Sequence, residues 1–173
     1  MGKIVCHFTM SLDGFVAGPD HDMSWLAGID VPPGLVERYV ESTGAIIAGR
    51  RGWDEAISRH RPYGGAWVGP VFVLTHHPHD GSPAEHVTYV DDLGTALDRA
   101  RAAAGGKNVE IFSPGIGMQA LALGVLDEFD LHVAPVLLGD GVRLYDAPGT
   151  AVVPLRHADA SRAVVDLRLE PAY

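Results

Sequence analysis

A chain of 173 residues reads as one domain, 1–173, long enough to bury a substantial core. Its 13 basic and 22 acidic residues leave a formal charge of −9, which argues against non-specific nucleic-acid binding and against an anionic membrane surface. The single cysteine, Cys6, excludes an intrachain disulfide and a cysteine-rich metal site. No apolar run is long enough to span a membrane and the N-terminus lacks a signal-peptide pattern, so a cytoplasmic protein is expected, with neither nucleic acid nor membrane as partner.

Lys3–Thr9 has the β-branched and aromatic content of a first strand, with Cys6 a small buried residue within it. Ser11–Trp25 follows, rich in Gly, Asp and Pro, with a short extended piece at Phe15-Val16-Ala17 and a turn signal at Asp13-Gly14. Pro32-Pro33 suits a helix start; Leu35, Val36, Tyr39 and Val40 recur at helical spacing, and Gly44 is expected to end that helix. Ala45–Ala48 is wholly apolar, the pattern of a strand buried on both faces. Gly49-Arg50-Arg51-Gly52 then leads into an expected helix at Trp53–Ile57. Strand, glycine, two arginines, helix is an arrangement that can hold a phosphate with bidentate donors; two solvated arginines at a helix start is the plainer alternative.

His60–Pro70 reads as a loop, Val71–Leu74 as a buried strand and Val87–Val90 as a short one. Asp92 is placed to cap a helix with Leu93, Ala96, Leu97, Ala100 and Ala104 on one face, closed by Gly105-Gly106. Val109–Gln119 reads as strand, tight turn and helix, which points unpaired backbone N–H groups beyond the strand's carboxyl end. In Asp127–Leu138, Phe129, Leu131 and Val133 alternate with Asp130 and His132, and the former set is expected inward. Gly139-Asp140-Gly141 is a turn, and strands are expected around Ala151–Pro154 and Ala163–Leu169. Strands and helices in alternation, then strands alone, give an α/β fold: a mostly parallel central sheet flanked by helices, with antiparallel C-terminal strands.

His76, His77 and His79 beside Asp80 have the residue types of a metal site, but Pro78 breaks the run and adjacent extended residues point apart, so no metal is expected. No nucleophile signature of the G-x-S-x-G kind occurs. Asp13 is the candidate acid for proton transfer or substrate orientation; the alternative is a loop anchor accepting backbone N–H bonds.

Four stretches in order carry a resemblance: Ser11-Leu12-Asp13-Gly14 running on to Trp25; Ile47-Ala48-Gly49-Arg50-Arg51; Leu74-Thr75-His76-His77-Pro78; and Gly124–Glu128 leading to Pro135–Gly139. Together they resemble the dihydrofolate reductase superfamily, in the branch of the C-terminal reductase domain of riboflavin biosynthesis (RibD C-terminal-like). The resemblance implies an NADPH-dependent oxidoreductase that transfers a hydride to a small heterocycle of the pterin, pyrimidine or flavin-like type. It implies that Gly49, Arg50 and Arg51 hold cofactor phosphates and that Thr75 and His76 line the adenosine ribose and its 2′-phosphate. Val16 and Ala17 fall in the loop over the nicotinamide, and Gly115, Ile116, Gly117 and Met118 at the pyrophosphate. Trp25 and Asp13 fall on the substrate side, and a homodimer is implied.

Two departures bear on that reading. The Gly-Gly pair ahead of the last helix in such reductases is here Phe112-Ser113, followed by Pro114, and Gly52 stands where a hydroxyl residue is common. Phe112 is placed to fill the dinucleotide groove, and Ser113-Pro114 makes a cis peptide accessible. A non-catalytic ligand-binding protein on the same scaffold is therefore the alternative function.

Overall fold

The computed structural model describes residues 2–57, 61–80, 84–155 and 169. Its strands and helices run β1 (Ile4–Ser11), β2 (Phe15–Ala17), α1 (Leu35–Ser42), β3 (Thr43–Gly49), α2 (Arg50–Gly52), β4 (Val71–Leu74), β5 (Val87–Val90), α3 (Leu93–Ala103), β6 (Asn108–Phe112), α4 (Pro114–Ala122), β7 (Glu128–Ala134) and β8 (Val142–Arg143). Six strands form one sheet in the order β5-β4-β3-β6-β1-β7, and every pairing in it is parallel. A second, two-stranded sheet pairs β2 with β8 antiparallel. The expected α/β fold is the observed one.

The apolar run in β3 shows why it lies at the centre. Ala45 and Ile47 join one core cluster, with Phe72, Ile111, Ile116 and the apolar face of α3. Ile46 and Ala48 join the other, with Trp53, Trp67 and Val73. All four are fully buried. A period of two over an unbroken apolar run puts each residue in one of two cores, and each isoleucine so buried contributes about 1.5–3 kcal/mol. The Asp92 carboxylate accepts from the Thr95 backbone N–H at 2.8 Å, capping α3, and Gly105 and Gly106 close that segment at positive φ.

Several expectations are corrected. Gly44 does not end α1; it lies inside β3, where a Cβ would meet the Ala104 carbonyl oxygen at 2.3 Å, so glycine is needed for α3 to approach the sheet. Trp53–Ile57 winds as a π-helical turn continuing α2. Val133 is 42% exposed and Phe129 and Leu131 are only half-buried, whereas Asp130 and His132 carry the specific contacts of β7. Ala151–Pro154 forms no strand; the antiparallel partner comes earlier, at Val142–Arg143. Apart from Leu169, Ala163–Leu169 lies outside the described residues.

Candidate functional site

The carboxyl ends of the strands diverge at one place. β3 connects to β4 on one side of it in the sheet, while β6 connects to β7 on the other. Connections that depart in opposite directions leave a crevice between the two strand ends, the usual ligand position in open α/β sheets. Here a cleft of about 490 Å³ is lined from four strand ends at once: Gly49 and Arg50 after β3, Leu74, Thr75, His76 and His77 from β4, Asp91, Asp92 and Leu93 after β5, and Ser113, Gly115, Ile116 and Gln119 after β6.

Local chemistry keeps the cleft open and polar. A Cβ on Gly49 would lie 3.0 Å from Ser113 Oγ, so a side chain there would crowd the floor between β3 and β6. Helix α4 starts at Pro114, whose missing N–H would be unpaired in any case, and Ser113 makes no side-chain cap. The Gly117 N–H bonds to the Ser113 carbonyl at 2.9 Å, leaving those of Gly115 and Ile116 as the first-turn donors beside the cleft. Arg50 donates Nε–H to Asp54 Oδ2 at 2.5 Å and an Nη2–H to the Asp80 carbonyl at 3.3 Å.

The sequence-derived site residues therefore separate. Gly49, Arg50, Thr75, His76, Gly115 and Ile116 meet at the cleft. Arg51 is exposed and does not line it. Gly117 packs against β1: a Cβ there would stand 2.4 Å from Cys6 Sγ. Met118 is half-buried one position further along α4, and Val16 and Ala17 are 5% exposed in β2. The Cys6 thiol is itself fully buried, and burial pushes it up to about 12.

Phe112 does not fill the groove. Its ring packs on the opposite side of the sheet, edge-on to His7 and to Tyr63. The period of two dictates this: Ile111 faces α4, so Phe112 faces away. The Ser113–Pro114 peptide is trans, since no described peptide bond is cis.

Asp13 is a buckle. Its Oδ1 accepts from Ser11 Oγ at 2.6 Å and from the Leu138 N–H at 3.1 Å, and its Oδ2 accepts from the Gly139 N–H at 2.8 Å. These donors, Ser11 first, lower the carboxyl to about 2. A group that ionised has no proton to give near neutral pH, so the geometry favours the loop-anchor alternative over proton transfer. Trp25 presents a different feature: its indole Nε1 is buried without a hydrogen-bond partner among the described residues.

Beneath the sheet lies a polar cluster that the sequence reading missed. β1 pairs with β6 only at Ile4–Cys6, and from His7 onward it pairs with β7 alone, so β1 and β6 part at His7. Glu110, 1% exposed, receives the Tyr63 hydroxyl at one oxygen and lies 2.6 Å from Thr43 Oγ1 at the other. His7 Nδ1 sits 3.1 Å from Tyr63 Oη, and its ring stacks on Tyr39 at 3.9 Å between centroids. Tyr39 Oη donates to Asp130 Oδ2 at 2.7 Å and lies 3.0 Å from His132 Nε2. Burial, reinforced by neighbouring carboxylates, raises both tyrosine hydroxyls above their ordinary range, and burial followed by the nearby His7 lowers His132. The available signal was the polar alternation Asp130/His132, whose partners, Tyr39 on α1 and His7 on β1, are distant in sequence.

Among the described residues no group of three or more His, Cys, Asp and Glu side chains is arranged to hold a metal ion. No described helix is long and apolar enough to cross a membrane.

Comparison with known proteins agrees with the architecture. A putative riboflavin biosynthesis protein from Shewanella sp. PV-4 superposes with a TM-score of 0.68 at 23% identity, covering 86% of each chain. A diaminohydroxyphosphoribosylaminopyrimidine deaminase/5-amino-6-(5-phosphoribosylamino)uracil reductase from Thermotoga maritima gives 0.63 at 12% identity, over 90% of this chain and 51% of that one, about half its length. In sequence, the chain is 26% identical over 148 residues to the uncharacterised protein YwjB of Bacillus subtilis (strain 168), covering 83% of this chain and 82% of that one. The sequence model of the RibD C-terminal domain matches residues 2–168, nearly the whole length, and the chain belongs to the RibD C-terminal domain family.

Proposed function

We propose that the protein is an NADPH-dependent reductase that binds the dinucleotide along the strand-end cleft and reduces a small heterocycle of the pterin, pyrimidine or flavin-like type. The observation that carries this reading is the convergence, in one cleft, of Arg50 with the α4 N-terminus and a glycine floor at Gly49. That donor set fits a dinucleotide: a planar cationic fork suits a phosphate monoester, and unpaired N–H groups at a helix start suit a pyrophosphate. In this reading Arg50, Thr75 and His76 recognise the 2′-phosphate, and the Gly115 and Ile116 N–H groups receive the pyrophosphate. Gly117 and Met118 contribute by seating α4, and Arg51 adds positive potential at the entrance. Bound NADPH would supply the hydride; the protein would orient the two reactants and exclude water.

Val16 and Ala17 serve the site as a rigid wall, held by the pairing of β2 with β8. The Trp25 N–H, without an acceptor among the described residues, suits a hydrogen-bond acceptor on the substrate, because a buried donor without an acceptor is costly until one arrives. The alternative of a non-catalytic ligand-binding protein draws its best support from the Phe112-Ser113-Pro114 departure; of those three, the Phe112 ring packs on the other side of the sheet.

The test is a titration with NADPH and with NADH, followed by nicotinamide fluorescence, on the unaltered protein and on Arg50→Ala. Selective NADPH binding is expected. Arg50→Ala should weaken NADPH by roughly tenfold to a hundredfold, the range for a charged hydrogen-bonding group, with little change for NADH. Equal losses for the two cofactors would remove Arg50 from 2′-phosphate recognition.

A further inference from the structure

Arg50 leaves the end of β3, yet its guanidinium carbon lies 5.2 Å from the ring centroid of Tyr89 in β5, on the far side of β4. Tyr89 is half-buried, packed against the core cluster that contains Trp53 and Val73, so its ring is a fixed surface. Two further contacts fix the in-plane direction of the fork: Nε–H to Asp54 at 2.5 Å and Nη2–H to the Asp80 carbonyl at 3.3 Å. A guanidinium has five N–H bonds, and among the described residues these two contacts leave three for an incoming anion.

The ring and the carboxylate act differently on that anion. Asp54 orients Arg50 but opposes its charge, and a phosphate monoester approaching the fork must work against that carboxylate. An aromatic face attracts the cation through its quadrupole while leaving the full positive charge in place. It also removes rotamer freedom that a solvated arginine would otherwise lose on binding.

We propose that Tyr89 is a specificity-determining positioning residue: its ring is the platform that holds the Arg50 fork open for a phosphate monoester, here the adenosine 2′-phosphate. This rests on the NADPH reading above. Tyr89 does not line the cleft; it acts through Arg50.

The experiment compares NADPH and NADH dissociation constants for the unaltered protein, Tyr89→Ile, Tyr89→Phe, Arg50→Lys and the Tyr89→Ile/Arg50→Lys double variant, with a melting temperature for each. A β-branched residue suits the strand at position 89, so Tyr89→Ile keeps the local conformation available. Tyr89→Ile should weaken NADPH by about threefold to tenfold, the scale of a partly exposed cation–π contact, with NADH within about twofold. Tyr89→Phe keeps the ring and should keep the selectivity. Lysine lacks the planar fork, so Arg50→Lys should lose selectivity alone and add little in the double variant.

Unchanged selectivity in Tyr89→Ile overturns the proposal, as does equal weakening of the two cofactors or a loss in Tyr89→Phe. If Tyr89→Ile does not fold, retained selectivity in Tyr89→Phe with its loss in Arg50→Lys supports the proposal, and the opposite pair refutes it. Equal binding of NADPH and NADH by the unaltered protein sinks the cofactor reading and the proposal together, whereas selective binding insensitive to Tyr89→Ile sinks the proposal alone.

Discussion

Gly117→Ala should destabilise the protein although it replaces glycine in a helix, and the sign should reverse once Cys6 is truncated. A Cβ at position 117 would lie 2.4 Å from Cys6 Sγ. Ordinary carbon contacts lie near 3.5–4.0 Å, so the two groups would overlap by about 1 Å or more. Cys6 is fully buried in β1, between β6 and β7, and has little room to yield. Overpacking of this kind costs about 1–3 kcal/mol, against a gain of about 1 kcal/mol from alanine's helix propensity. The expected net loss is up to about 2 kcal/mol, or up to roughly 8 °C in melting temperature for a domain of this size.

In a Cys6→Ala background the sulfur is gone. The remaining Cys6 Cβ contact, at 3.7 Å, is ordinary, and Gly117→Ala should then be neutral or stabilise by up to about 1 kcal/mol. The buried thiol is neutral, since burial has pushed it up to about 12, so no change of charge complicates the cycle. Urea denaturation of the four proteins gives the coupling energy directly. The same sign in both backgrounds would refute the steric account of Gly117.

Tyr39→Phe removes the hydroxyl that joins Asp130 to His132 and should cost about 1–2 kcal/mol in urea denaturation, with part of the loss from the carboxylate left without its donor. His132 is lowered from its ordinary 6.5, so the folded state binds its proton less readily than the unfolded chain. Its contribution to stability is therefore present above about 6.5 and declines as pH falls below that value. Thermal melts between pH 5 and 8 should show that decline flattened in His132→Gln, and an unaltered slope would refute it. Asp13→Asn should speed amide exchange at Leu138 and Gly139, which donate to its carboxylate. In the unaltered protein the same protection should persist through mild acid and fail only as pH drops from 3.8 towards about 2.

Local pattern determined much of this molecule. The unbroken apolar run Ala45–Ala48 marked a doubly buried strand, the Asp92 cap and its spaced apolar residues marked α3, and Gly49-Arg50 and Gly115-Ile116 marked two strand ends able to face one cleft. These features arise from periods of 2 and 3.6 residues and from capping chemistry, all acting within a dozen positions of chain.

Tertiary structure decided the rest. Gly44 and Gly117 were read as punctuation or as phosphate contacts, but their neighbours Ala104 and Cys6 approach only when the helices pack on the sheet. The side on which the Phe112 ring packs follows from a core shared between β6 and α4. Glu110, His7, Tyr39 and His132 sit on four separate elements and meet only because parallel register aligns β6, β1 and β7 under α1. Register between distant strands is set by the whole sheet, and a single-chain pattern carries the parity of each strand but not which strand lies beside it.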